Sequence, residues 1–217
     1  MTTRPHPLAW GFLVLSALAL AACGGRVATP LSAIVDAPLL RPGSSWTYRV
    51  VDSSQPEPLT LTLTFDKDDV YKGSGVLAFT AGSETYYYDR DLNFIAVISG
   101  GRVIREAAPS YRSFDFPFYV GKEWRSVFTF QDYMRTLSWT PVEVIWRVKE
   151  YDDVRVPAGE FRAFRLVSKP STNWGLEEEI WYAPEVKHAV KWKHERTSSH
   201  YLGRGRQSGE LVQFVLK

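Results

Sequence analysis

Leu59-Thr60-Leu61-Thr62-Leu63-Thr64-Phe65 puts four apolar residues on one side of an extended chain and three threonines on the other. That period of two is the signature of a β-strand with one buried face. The same alternation runs from about residue 44 to the end. It is interrupted by turn clusters at Asp52–Pro58, Asp66–Asp69, Gly73–Gly75, Ala81–Glu84, Gly100-Gly101, Asp152-Asp153 and Lys169–Gly175. Gly100-Gly101, between Leu92–Ser99 and Arg102–Ala107, predicts a two-residue hairpin. Roughly eleven strands and no amphipathic helix follow from the pattern. The expected fold class is all-β, an antiparallel meander curled into a barrel or half-barrel.

Some strands look apolar on both faces. Tyr86-Tyr87-Tyr88 is one. Phe128-Thr129-Phe130 beside Trp124, and the run through Trp139, Val144 and Trp146, are others. Two apolar faces need two covers, and a ligand, a partner or a Phe-rich loop such as Ala108–Phe118 would each serve. A weak internal echo is also present. Pro42-Gly43-Ser44-Ser45-Trp46 and Val120-Gly121-Lys122-Glu123-Trp124 each place glycine three residues before a tryptophan that opens a strand.

The other end of the sequence reads differently. Arg4 is followed by an apolar run from Leu8 to Ala22, 15 residues long. As a helix it would span about 22 Å, short of the roughly 30 Å of a bilayer core. It therefore reads as the core of a signal peptide, residues 1–22. Leu20-Ala21-Ala22-Cys23-Gly24 resembles the lipobox of bacterial lipoproteins. That resemblance implies a diacylglyceryl group on Cys23, cleavage before it and acylation of the new amino terminus. Residues 23–40 hold small residues and two prolines and read as a flexible tether, leaving 41–217 as a single β domain. The expected location is the cell envelope, with the lipid anchor in the outer leaflet of the cytoplasmic membrane or in the outer membrane facing the periplasm. Gly24, where some Gram-negative lipoproteins carry a retaining Asp, tilts this towards the outer membrane.

Cys23 is the one cysteine of the 217 residues, so no intramolecular disulfide and no cysteine-based metal site exists. Without the leader, Lys and Arg number 25 against 24 Asp and Glu. A charge near +1 gives no reason to expect nucleic acid as a partner.

Glu150 to Leu166 contains Val156-Pro157-Ala158-Gly159-Glu160-Phe161. Pro157 presets φ for a first turn position and Gly159 accepts a positive φ, so a tight hairpin is expected between Val154–Val156 and Phe161–Leu166. With Trp181-Tyr182-Ala183-Pro184 and Glu210-Leu211-Val212, this segment resembles a family of bacterial envelope proteins of unknown function. The resemblance covers about residues 115–217. It implies a sheet wrapped into a half-barrel, akin to periplasmic carriers of lipoproteins and lipids, and it supplies no catalytic residue.

No nucleophile elbow, P-loop or dinucleotide fingerprint is present. His188, His194 and His200 are spaced by six, which on one strand covers about 20 Å, too far for a shared metal. His194-Glu195-Arg196 opens like a zinc-protease motif, but residue 198 is Ser. No cofactor or metal is expected. Glu177 and Glu179 share a strand face beside Trp181 and are the candidate carboxylates for a hydrolase acting on envelope polymer. A solvated strand face is the plainer reading. Lys187, Lys191 and Lys193 line one face, suited either to anionic lipid or polymer or to keeping an edge strand soluble. The leading expectation is a non-catalytic envelope lipoprotein that binds an apolar ligand or serves as an accessory subunit of an envelope assembly. The hydrolase is the alternative.

Cys23→Ser should abolish labelling by a fatty-acid probe and leave the leader uncut. A variant that still takes up label contradicts the lipobox reading.

Overall fold

The computed structural model describes residues 34–170 and 174–217, with the backbone alone at 139 and 140. The expected leader, Cys23 and the first part of the tether lie outside the described residues. Twelve strands follow one another: β1 (Ser45–Asp52), β2 (Leu59–Tyr71), β3 (Ser74–Ala81), β4 (Glu84–Tyr88), β5 (Phe94–Ser99), β6 (Arg102–Tyr111), β7 (Glu123–Asp132), β8 (Leu137–Val156), β9 (Gly159–Pro170), β10 (Leu176–Ala183), β11 (His188–Arg196) and β12 (Gly205–Val215). Each pairs antiparallel with the next, and β12 pairs with β1. The meander is thus a closed barrel of twelve strands. Closure leaves no edge strand, so the lysines of β11 do not guard one; β11 pairs with both β10 and β12.

The period of two decides which side is in. In β1, Trp46, Tyr48 and Val50 are buried; in β7, Trp124, Ser126, Phe128 and Phe130 are. The outer face carries cross-strand ion pairs: Arg125–Glu143, Arg147–Glu123 at 3.7 Å, Arg165–Glu179 at 2.9 Å and Lys191–Glu210 at 2.6 Å. Each is worth little alone. Together they make this a barrel with an apolar inside and a charged outside, the reverse of one that faces lipid.

The repeat seen in the sequence is a repeat of structure. The Gly43 amide donates to Phe65 O at 2.8 Å, and the Phe65 amide to Ser44 O at 2.8 Å. Half a barrel away, the Gly121 amide donates to Val148 O at 2.9 Å, and the Val148 amide to Lys122 O at 2.9 Å. Both glycines have positive φ, +87° and +92°. The entries to β1–β2 and β7–β8 are equivalent, and the barrel divides into β1–β6 and β7–β12.

Twelve strands enclose more than inward side chains can fill, and one end is plugged. The β6–β7 connection sends Phe114, Phe116 and Phe118 into it. Their rings stand 5.8, 5.4 and 5.4 Å from Tyr182. The expected hairpin is present but tighter, with Gly159 in the strand and paired to Val156; its tip, Pro157-Ala158, reaches across to β12, where the Ala158 amide donates to Leu211 O at 3.0 Å. Residues read as tether also dock here. Val35 and Phe118 exchange backbone hydrogen bonds of 3.2 and 2.8 Å, and Lys187 Nζ donates to Leu39 O at 2.9 Å. The β2–β3 hairpin bends the other way and lies outside β4–β6, with Tyr71 5.2 Å from Tyr87 and Lys72 on Glu106. It covers the second apolar face of the tyrosine triplet.

Gly209 faces the lumen beneath Trp192, and a Cβ there would lie 2.3 Å from the indole. Gly209→Ala should cost about 1–3 kcal/mol by overpacking. Gly75→Ala, with nothing within 4 Å, should be close to neutral. Urea unfolding of both variants checks this; equal midpoints would contradict the packing.

Candidate functional site

At the end opposite the plug, burial along Leu59–Phe65 is graded. Leu59 is 45% exposed, Leu61 half-buried, and Leu63 and Phe65 are 6% and 1% exposed. The strand runs from an open mouth into the interior. That mouth opens a cavity of about 500 Å³, bounded by side chains from nine strands. Its apolar wall includes Val50, Leu61, Tyr88, Phe94, Val97 and Trp192. Arg105, His194, His200, Tyr201 and Gln207 bring polar groups to it. An apolar hollow of this size with a few polar groups has the form of a small-molecule site.

The connection between β11 and β12 sets His200 and Tyr201 at the mouth. It does so by backbone contact: the Thr197 amide donates to Gly175 O at 2.8 Å, and a Cβ on Gly175 would lie 2.4 Å from the His200 amide nitrogen. Gly175 also has φ +68°, so glycine is required here twice over.

Deeper in lies Glu178, 6% exposed. Tyr111 Oη donates to its Oε2, His194 Nε2 stands 3.1 Å from Oε1, and the Glu178 amide donates to Ser168 Oγ at 2.8 Å. Burial, and then the Glu178 charge, push the Tyr111 phenol far up, so it stays protonated and donating. Both carboxylate oxygens are therefore occupied. The sequence reading passed over Glu178 in favour of its neighbours, yet Leu176, Glu178, Ile180 and Tyr182 share one strand face. Three apolar neighbours at period two mark that face as inward.

Glu177 and Glu179 point the other way and do not converge on the cavity. Glu177 is exposed, and Glu179 Oε2 is held by Arg165 Nε at 3.1 Å and Nη2 at 2.9 Å. Lys191 and Lys193 flank the Trp181 ring on the outer face, at 5.8 and 5.4 Å, with Lys191 also paired to Glu210.

The three histidines separate. His188 sits at the plugged end, 4.9 Å from the Trp46 ring. Tyr48 Oη donates to Ala189 O, which leaves His188 Nδ1–H to donate to Tyr48 Oη at 2.8 Å. His200 accepts the Leu202 amide on Nδ1 at 3.2 Å. His194 and His200 line the same cavity, but the described residues contain no cluster of three or more metal-ligating side chains.

Burial holds His188 and His200 down to about 4. The unfolded chain therefore binds more protons than the folded one between pH 6.5 and 4. This contribution to stability is whole above pH 6.5 and is lost as pH falls to 4. Asp52, Asp69 and Asp115, held below the usual carboxylate value of 3.8, act under that window. Urea midpoints should fall from pH 7 to pH 4.5, and fall less in His188→Gln/His200→Gln. An equal drop in the double variant would contradict neutral burial.

No family model matches the chain, and no curated protein matches it. Among solved structures, a Bacteroides fragilis protein described as exported and of YmcC-like fold gives a TM-score of 0.46 at 12% identity, over 84% of this chain and 100% of that one. A Parabacteroides distasonis protein described as a lipoprotein gives 0.37 at 10%, over 84% of this chain and 100% of that one. The hypothetical lipoprotein YmcC of Escherichia coli gives 0.38 at 7%, over 78% and 84%. These are likenesses of fold.

Proposed function

We propose that this chain is an envelope lipoprotein, anchored through Cys23, that binds an apolar ligand in the open end of its barrel without catalysing a reaction. The observation that carries this is the asymmetry of the lumen: aromatic side chains fill one end, and the other holds a cavity of about 500 Å³ with an apolar wall. Glu178 does not make it an active site. Its two oxygens are taken by Tyr111 and His194, and Glu177 and Glu179 lie on the opposite face. The lining of this cavity holds no carboxylate pair of the kind the hydrolase alternative needs; Glu177, Glu178, Glu179 and Glu195 line a separate hollow of about 390 Å³, where Arg165 holds Glu179 and Tyr111 and His194 hold Glu178.

The position of the N-terminal segment supports an orientation. Val35 is fixed to Phe118 at the plugged end. Residues 23–33 would lead from there to the lipid, a reach of at most about 40 Å at 3.3–3.6 Å per residue. This favours a plugged end nearer the bilayer, with the mouth opening away from it.

The barrel closes entirely within residues 45–215, so the chain from Gly24 onward is a fair test object. N-phenyl-1-naphthylamine, an uncharged apolar dye, should bind it saturably and quench tryptophan emission. Leu61→Trp, which fills the cavity, should weaken binding about tenfold. Ile34→Ser at the other end should leave it unchanged. No saturable binding, or binding indifferent to Leu61→Trp, would overturn the proposal.

A further inference from the structure

The basic side chains lining the cavity are Arg105, His194 and His200. His194 is engaged with Glu178, and burial keeps His200 neutral. Arg105 is different. It is half-buried on β6, on the same face as buried Ala107, and among the described residues it has neither an ion pair nor a hydrogen-bonded partner from its guanidinium. The nearby carboxylates are committed elsewhere. Asp132, its cross-strand partner, is fully buried and receives Arg135 Nη1 at 2.9 Å and the Met134 amide at 3.0 Å. Glu84 receives the Tyr86 hydroxyl at 2.7 Å.

A guanidinium facing an apolar hollow without a counter-ion is costly, because charge is poorly solvated there. It is also the side chain best shaped to hold a carboxylate or phosphate, through two parallel N–H donors. We infer that the cavity takes a single-chain anionic amphiphile, with its hydrocarbon among Leu61, Tyr88, Phe94 and Trp192 and its carboxylate or phosphate on Arg105. This rests on the cavity being a binding site, as proposed above, and names the class of molecule it accepts. The size agrees, since cavities of about 300–1,000 Å³ hold small molecules of this kind.

Three ligands of equal chain length separate the terms: dodecanoate, dodecyl phosphate and dodecanol, each displacing N-phenyl-1-naphthylamine from the chain beginning at Gly24. The two anions should compete at least about tenfold better than the alcohol. Whichever anion is stronger identifies the headgroup source. Arg105→Gln should bring all three within about twofold while dye binding persists. Arg105→Lys, which keeps the charge, should retain most of the preference and carries the test if Arg105→Gln melts early. Dodecanol competing as well as the anions overturns this inference and leaves the apolar site standing. So does a preference that survives Arg105→Gln, or one lost in Arg105→Lys. A wild-type chain that binds neither dye nor ligand overturns both readings.

Discussion

An eight-stranded barrel has an interior that its own side chains fill; twelve strands enclose a wider one. Everything distinctive about this molecule answers that geometric fact. Inward residues of large volume, among them Trp46, Trp146, Phe65, Phe79 and Leu211, take up much of the interior. They do not suffice at the ends. At one, the chain spends the 112–122 connection and the tip of the β8–β9 hairpin on closing the opening. At the other, Trp174 and His200, from the β9–β10 and β11–β12 connections, pack inward against Phe130 and each other, and about 500 Å³ still stays open behind the mouth. The cavity is what remains when one of two similar ends is filled.

The two halves of the barrel show how such an asymmetry is built. The lead-ins to β1 and β7 make the same backbone hydrogen bonds and carry glycines of the same handedness. They arrive at the same end. The lead-in to β7 provides the phenylalanine plug, and the lead-in to β1 lies against it through Val35. The segment that would connect the domain to a lipid is therefore held beside the plug. At the open end the β3–β4 and β5–β6 connections are two residues long, and Gly175 draws His200 and Tyr201 in to frame the entrance. Charge is treated differently at different depths. Glu178 is fully engaged well inside, whereas Arg105 meets the cavity with its guanidinium uncommitted.

Much of the fold was legible in the sequence because a period of two is a direct record of which side is buried. Leu59–Phe65, the Gly100-Gly101 hairpin and the turn at Pro157 stand where the pattern puts them. Closure was not legible. The pairing of β12 with β1 joins residues more than 150 apart and has no local signal. Nor was the docking of Val35, since nothing in Val35 itself announces the Phe118 backbone as its partner. Glu210-Leu211-Val212 lies in the middle of β12, whose first residues, Gly205 to Gly209, are small or polar and hide the alternation. For the site, the misreading was instructive. A run of three glutamates invites attention to its outer members, while the inner one is settled by the apolar residues two positions away on either side. Arg105 offered no such sign, since its isolation depends on what Asp132 and Glu84 do with their own oxygens.

The central claim is that one end of the lumen is filled and the other is an accessible apolar site. A crystal of the chain from Gly24 grown with 12-bromododecanoate would place the bromine by its anomalous scattering. The account predicts one site inside the barrel, among Tyr88, Phe94 and Trp192, with the plugged end unchanged. Bromine confined to the outer surface, or seated among Phe114, Phe116 and Phe118, would contradict it.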